Sequence, residues 1–230
     1  MRHGSVDYFP AGAPHADADR VELSAQGCAQ ADAAGDFFVR HDVRFDRAVA
    51  TGLPRTQQTA QRVLARLPSS GRPSLETASG LQELRAGADE ASLEGASLRE
   101  AFLAPFEHMP GPQVRYRGGE SLGELRQRVD TALDALLDDP SWDAMLVVAH
   151  GAVNRAILTR ALGLPAGGPL LANFQQAPGC INAIDIAAAP APWLVRFTGL
   201  APYDAAQRDH RDSTMETLFG QYLASRSETA

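Results

Sequence analysis

Apolar residues recur along this chain in two rhythms, short continuous runs and helical stripes, and the two alternate. "DRAVAT" (residues 46–51) has the pattern of a short buried strand, and "RTQQTAQRVLARL" after it sets Ala60, Val63, Leu64 and Leu67 at helical spacing. Together they predict one strand-to-helix step. "GESLGELRQRVDTALDALLDD" places Leu122, Leu125, Val129, Ala132, Leu133, Leu136 and Leu137 on one stripe that ends before Pro140, which predicts a helix. "AMLVVAH" suits a strand covered on both faces, and Gly151 then opens "AVNRAILTRALGLP", where Val153, Ile157 and Ala161 share a helical face. "CINAIDIA" and "PWLVRFTGL" predict late strands; in the second, Trp193, Val195 and Phe197 alternate with Leu194, Arg196 and Thr198. Strands interleaved with helices predict an α/β three-layer sandwich, a mostly parallel central sheet flanked by helices.

Three stretches fall outside this rhythm. Residues 11–20 form a Pro/Ala/Asp-rich loop, and residues 84–118 a long mixed insertion with weak helical character around Leu98–Phe106. Both are expected to overhang a site, the second as an inserted lid. Beyond Asp212, Ser213 precedes Glu216 at capping-box spacing, and Met215, Leu218, Phe219, Tyr222 and Leu223 fall on one stripe. This predicts a docking helix over 212–226, packed on the chain's own core in preference to a second subunit. The same helix is the first candidate for a homodimer contact. With no internal repeat or low-complexity tract, residues 1–230 read as a single domain.

Composition narrows the picture. A chain of 230 residues with 44 % hydrophobic and 21 % charged content can bury one sizeable core. A net charge of −7 and a pI of about 5.3 argue against a nucleic-acid or anionic-membrane partner, while leaving room for a local basic pocket and a small anionic substrate. There is no run of about 18 apolar residues, and the start lacks the basic, apolar, small-residue order of a secretory signal, so a cytoplasmic protein is expected. Cys28 and Cys180 show neither CxxC nor Cys/His spacing and are expected to be small buried side chains, without a disulfide or a zinc site.

Candidate chemistry gathers where strands end. In open α/β sheets ligands bind beyond the carboxyl ends of the strands, and "VVAHGA" places His150 there, just before a helix whose N-terminus favours an anion. "ATGLPRTQQTA" places Arg55 at the matching edge of the first step. If the opening "RHG" also ends a strand, Arg2 and His3 complete a cluster of two arginines and two histidines, a phosphate pocket by charge and donor count. A metal site built on His3, His150 and Asp7 is the weaker alternative, because the arginines at the same point would repel a cation. His15, His41, His108 and His210 show no ligand spacing and read as surface residues.

Four ordered motifs, "RHG" at 2–4, "TGLPRTQQTA" at 51–60, "LQEL" at 81–84 and "AHG" at 149–151, resemble the signature of the histidine phosphatase (phosphoglycerate-mutase-like) superfamily. "LSAQG" at 23–27 and "GGES" at 118–121 resemble further segments of it, and the resemblance spans about residues 1–200. It implies that His3 takes the phosphoryl group as phosphohistidine, that Arg2, Arg55 and His150 hold the phosphoryl oxygens with help from the Gly151 amide, and that Glu83 is the general acid and base. Glu90 and Glu94 lie near enough in sequence to compete with Glu83. No cofactor or metal is implied.

Family mutases carry an asparagine about six residues after RHG and a Glu-Arg-x-Tyr-Gly-like stretch near the acid. This chain has Phe9 and "LQELRAGAD" at those places, so the resemblance favours a phosphatase over a mutase. Arg115 and Arg117 of "VRYR" are candidates to hold a second acidic group of the substrate from the lid. Family members also begin with several apolar strand residues before RHG, whereas this sequence starts at Met1. That departure raises a third expectation, a non-catalytic relative that binds a phosphorylated ligand or a partner.

Overall fold

The computed structural model describes residues 1–9, 17–87, 95–107, 109–165, 167–186, 193–205 and 212–227. Strand β1 (Arg47–Ala50) runs parallel to both β2 (Leu75–Thr77) and β3 (Met145–Val148), giving the order β2-β1-β3. Residues Met1–His3 extend this sheet: Arg2 pairs in parallel with Ala149, the Ala149 amide donates to Met1 O at 2.9 Å, and the His3 amide donates to Ala149 O at 3.0 Å. On its other side the Arg2 amide donates to Cys180 O at 2.9 Å, beside the antiparallel pair β4 (Ile181–Asp185) and β5 (Leu194–Leu200). Three residues thus stitch the parallel sheet to the β4–β5 hairpin.

Alternation along the strands builds the three layers. Ala48, Ala50, Leu146 and Val148 face α1 (Ala25–Arg40) and α2 (Pro54–Arg66), joining Phe38, Val63 and Leu64 in one buried cluster. Val49, Met145 and Val147 face the opposite way, onto α4 (Leu122–Leu137) and α5 (Gly151–Ala161), where Leu125, Val129 and Val153 are fully buried. The sandwich is as expected. Helix α4 begins with a reciprocal capping box, Ser121 with Glu124, and α2 begins at Pro54, whose fixed φ suits a first helical turn.

The edges differ from expectation. The alternation anticipated in β5 fails: Phe197 is 38 % exposed, because register shifts between Ile181 and Ile184 interrupt the ladder that would hold it to one face. Cys180 is buried but Cys28, on α1, is only half-buried, and both are free thiols. Helix α3 (Gly95–Leu103) occupies the middle of the 84–118 insertion, and α6 (Thr214–Ser227) begins with the anticipated box, Ser213 Oγ accepting from the Glu216 amide at 3.2 Å. Helix α6 docks on the insertion and not on the main core: Met215, Phe219 and Tyr222 pack with Leu98, Phe102, Leu103 and Phe9, while Leu223 turns outward. Residues 10–16 of the early loop, residues 88–94 of the insertion and His15, His108 and His210 lie outside the described residues. Among the described residues no helix is long and apolar enough to cross a membrane.

Candidate active site

The three strand ends converge as the sequence implies. His3 follows the stitching segment, Thr51 follows β1, and His150 follows β3 and caps α5. The backbone around His3 is held on all sides. Gly4 N donates to Thr59 Oγ1 at 3.1 Å, Gly179 N to His3 O at 2.9 Å, and helix α1 presses so close that a Cβ on Gly4 would stand 2.3 Å from Gly27 O. Only glycine fits there.

His3 Nδ1 lies 2.7 Å from Gly4 O. A carbonyl oxygen cannot donate, so Nδ1 carries the proton and Nε2 keeps its lone pair. Burial, followed by the positive charge of Arg2 and Arg55, pulls the His3 pKa well below its ordinary 6.5. The ring is therefore neutral at pH 7 and presents an unprotonated nitrogen.

His150 lies beside it, with ring centroids 5.2 Å apart and planes inclined by 67°. Its Nε2 is 2.9 Å from Thr51 Oγ1, which is 3.0 Å from Thr56 Oγ1, which in turn donates to Leu53 O at 2.8 Å. Each hydroxyl has one hydrogen, so the relay has one direction: Thr56 gives its proton to Leu53 O, Thr51 gives its own to Thr56, and His150 Nε2–H gives to Thr51. Nδ1 of His150 is left as a buried atom without a partner among the described residues, and so are Nε of Arg2 and Nε of Arg55. Such unpaired buried groups are uncommon and costly, and three at one point form an unsatisfied polar cradle.

Each arginine is also anchored. Arg2 Nη1 donates to Thr214 Oγ1 of α6 at 2.9 Å and to Gln176 O, and Arg55 Nη1 donates to Ala18 O. Glu83, reached by the short 3-10 turn after β2, accepts from its neighbour Leu84 N at 2.9 Å and from Gly151 N at 3.1 Å. The Gly151 amide, anticipated as a phosphate donor, is thus engaged by the carboxylate. Glu90 and Glu94 fall outside the described residues. No group of three or more His, Cys, Asp or Glu among the described residues is placed to hold a metal ion.

The two arginines of "VRYR" part company. Arg117 lines the cavity, its guanidinium 4.7 Å from the Phe102 ring centroid, whereas Arg115 is exposed, pairs with Glu124 at 3.2 Å and does not line the cavity. In regular extended chain, residues two apart would share a face, but Arg117 has φ +50° and breaks the alternation. Arg155 is a cavity cation that the motifs did not flag. It is buried, donates from Nε to Phe174 O at 2.9 Å, and burial together with nearby Arg2 brings its pKa down to about 10. The signal was its spacing: four residues beyond Gly151, it lies on the same face of α5.

Comparison with known proteins agrees with the geometry. A curated relative, the adenosylcobalamin/alpha-ribazole phosphatase of Escherichia coli, is 31 % identical over 168 residues, covering 71 % of this chain and 77 % of the relative. A "probable phosphoglycerate mutase" of Erwinia tasmaniensis is 28 % identical over 208 residues, covering 86 % and 90 %. The crystal structure of the alpha-ribazole phosphatase from Shigella flexneri superposes with a TM-score of 0.65 at 24 % identity, covering 86 % of this chain and 94 % of that one. A mycobacterial glucosyl-3-phosphoglycerate phosphatase superposes with a TM-score of 0.64 at 21 % identity, covering 86 % and 95 %. Residues 1–196 match the sequence profile of the histidine phosphatase superfamily, branch 1, and with that match and the convergent His3, Arg55 and His150 this chain belongs to that superfamily.

Proposed function

We propose that this protein hydrolyses phosphomonoesters of small metabolites through a phosphohistidine on His3, without a metal ion. The observation that carries the reading is the pairing of a neutral His3, its Nε2 lone pair free, with the unpartnered buried nitrogens of Arg2, Arg55 and His150. Nε2 attacks phosphorus while the P–O bond to the alcohol breaks, and the arginines neutralise the equatorial oxygens. Glu83 passes a proton, delivered with the substrate monoanion, to the departing alkoxide; the carboxylate then takes a proton from water, which attacks the phosphohistidine and releases inorganic phosphate. Two guanidiniums, joined by His150 once it has taken up a proton, supply positive charge that a metal ion would otherwise bring. The unprotonated Nδ1 of His150 calls for a further proton on phosphate binding, taken from solvent. Splitting the displacement in two avoids driving water directly onto a phosphate dianion.

The phosphatase reading is favoured over a mutase because Phe9, whose ring packs edge-on against Tyr222 at 5.6 Å, occupies the place where the mutases carry asparagine. Hydrolysis of p-nitrophenyl phosphate with and without EDTA, for the parent and His3→Ala, is the test. Activity that survives EDTA, vanishes in the variant and leaves an acid-labile phosphoryl label on the parent is the expected result. An unlabelled protein without turnover would overturn the reading in favour of a phospholigand-binding relative, and loss of activity in EDTA would overturn the metal-free reading.

A further inference from the structure

The cavity above the phosphate cluster has two unlike ends and a volume of about 760 Å³, within the range of sites that enclose whole small ligands. One end is the cluster of His3, Arg2, Arg55 and Glu83. The rest is walled by rings and aliphatic side chains from three separate segments: Tyr8 and Phe9 after His3, Tyr116 of the insertion with the fully buried Phe102 behind it, and Leu218 and Tyr222 of α6; Tyr8 and Tyr116 stand nearest the cluster, beside Glu83. These rings support one another. Phe102 lies 5.0 Å from Tyr222, 5.4 Å from Phe219 and 6.3 Å from Tyr116 between centroids, and the Arg117 guanidinium covers its face.

Helix α6 lies beyond residue 196, where the match to the family profile ends, yet it completes this wall. Its first turn is pinned at the phosphate end by the bond from Arg2 to Thr214, and its apolar stripe is pinned on α3. The ring-lined end is therefore a defined distance and direction from the phosphoryl site.

Resting on the phosphatase reading above, we propose that α6 and the insertion form a chamber that selects phosphomonoesters whose alcohol carries a flat aromatic or heteroaromatic body. Three arguments support this. A phosphoryl group on a two- or three-carbon chain leaves a chamber of about 760 Å³ largely unfilled. A flat ring matches walls made of rings, through offset or edge-on contacts. Arg117, already stacked on Phe102, presents the planar face that guanidinium groups offer to aromatic ligands.

The test compares 2-(1-naphthyl)ethyl phosphate with ethyl phosphate, two alkyl esters chosen so that alcohol acidity does not set the ratio. The expected kcat/KM ratio is about thirtyfold or more in favour of the naphthyl ester, the value of removing one ring from water. Leu218→Asp is expected to lower that ratio about tenfold. A ratio near one, with both esters hydrolysed and His3 labelled, overturns the chamber and leaves the phosphatase reading standing. A high ratio that Leu218→Asp leaves unchanged overturns the role of α6, as does an unchanged ratio in Leu218→Asn should the aspartate variant not fold. Hydrolysis of neither ester, with no label on His3 from p-nitrophenyl phosphate, overturns both.

Discussion

Glu83 Oε2 accepts a hydrogen bond from the Gly151 amide at 3.1 Å, which places the acid on the first turn of the helix that His150 caps. An arriving phosphoryl group and this carboxylate compete for the same donor. In the proposed reaction the substrate would displace Glu83 from the helix end, freeing it to serve the leaving oxygen.

Glu83→Gln keeps the size of the side chain and removes its acid. Turnover of an alkyl phosphate should fall by about 10² to 10⁴. Hydrolysis of p-nitrophenyl phosphate, whose leaving phenolate needs little protonation, should fall much less. Equal losses for both esters, measured as kcat, would count against Glu83 as the proton donor.

The approach of α1 to the RHG loop makes Gly4 intolerant of any side chain. Gly4→Ala brings a Cβ to 2.3 Å from Gly27 O, backbone that cannot swing aside. A cost of about 1–3 kcal/mol is expected, typical of overpacking. Because the displaced segment carries His3, activity should fall together with the urea midpoint. Gly71→Ala is the contrast: its added Cβ meets nothing within 4 Å, so only the strain of its φ of +79° remains, far from the site.

Stability should decline below pH 6.5. His3 and His150 both have pKa values held well below 6.5, first by burial and then by neighbouring positive charge. The native state binds fewer protons than the unfolded chain between the two pKa values, so their contribution is fully present above 6.5 and is lost as pH falls below it. Each group should cost about 1.4 kcal/mol between pH 7.5 and 5.5. Urea unfolding of the parent and His3→Gln at both pH values measures this: the variant should lose about half of the histidine-linked decline. Catalysis follows the same sign, and the acid limb of kcat/KM should lie below pH 6.5.

Arg155 and Arg115 should behave oppositely. Arg155→Met removes a buried cation from the phosphoryl end of the cavity and should lower kcat/KM about tenfold to a hundredfold. Arg115→Ala breaks an exposed pair with Glu124 and should leave kcat/KM within about twofold, with a stability change below about 1 kcal/mol. A large effect of Arg115→Ala on KM would restore it to the substrate site.

The parts of the fold that were legible in the sequence are those whose cause is local. Strand β1 with α2 and strand β3 with α5 each advertise a buried run followed by a helical stripe, and Arg55 and His150 stand at fixed offsets from those patterns, whereas His3 was placed by the "RHG" motif. Arg155 was not legible because an arginine inside a helix stripe looks the same whether it faces solvent or a cavity; only the position of Gly151 on the same face decides it. Arg115 and Arg117 diverge because one positive φ, invisible in "VRYR", turns Arg117 toward the cavity and leaves Arg115 exposed. Helix α6 packs on its own chain as its stripe suggested, but a stripe specifies only that something apolar must cover it, not that the insertion does so.

The stitch made by Met1–His3 gives the molecule a single point of failure. The backbone that carries His3 is the seam joining the parallel sheet to the β4–β5 hairpin. Opening that seam would uncouple two halves of the architecture in the same motion that scatters the phosphate ligands. The amide protons of His3 and Ala149 therefore act as a gauge of competence: their exchange with solvent reports how often that seam opens.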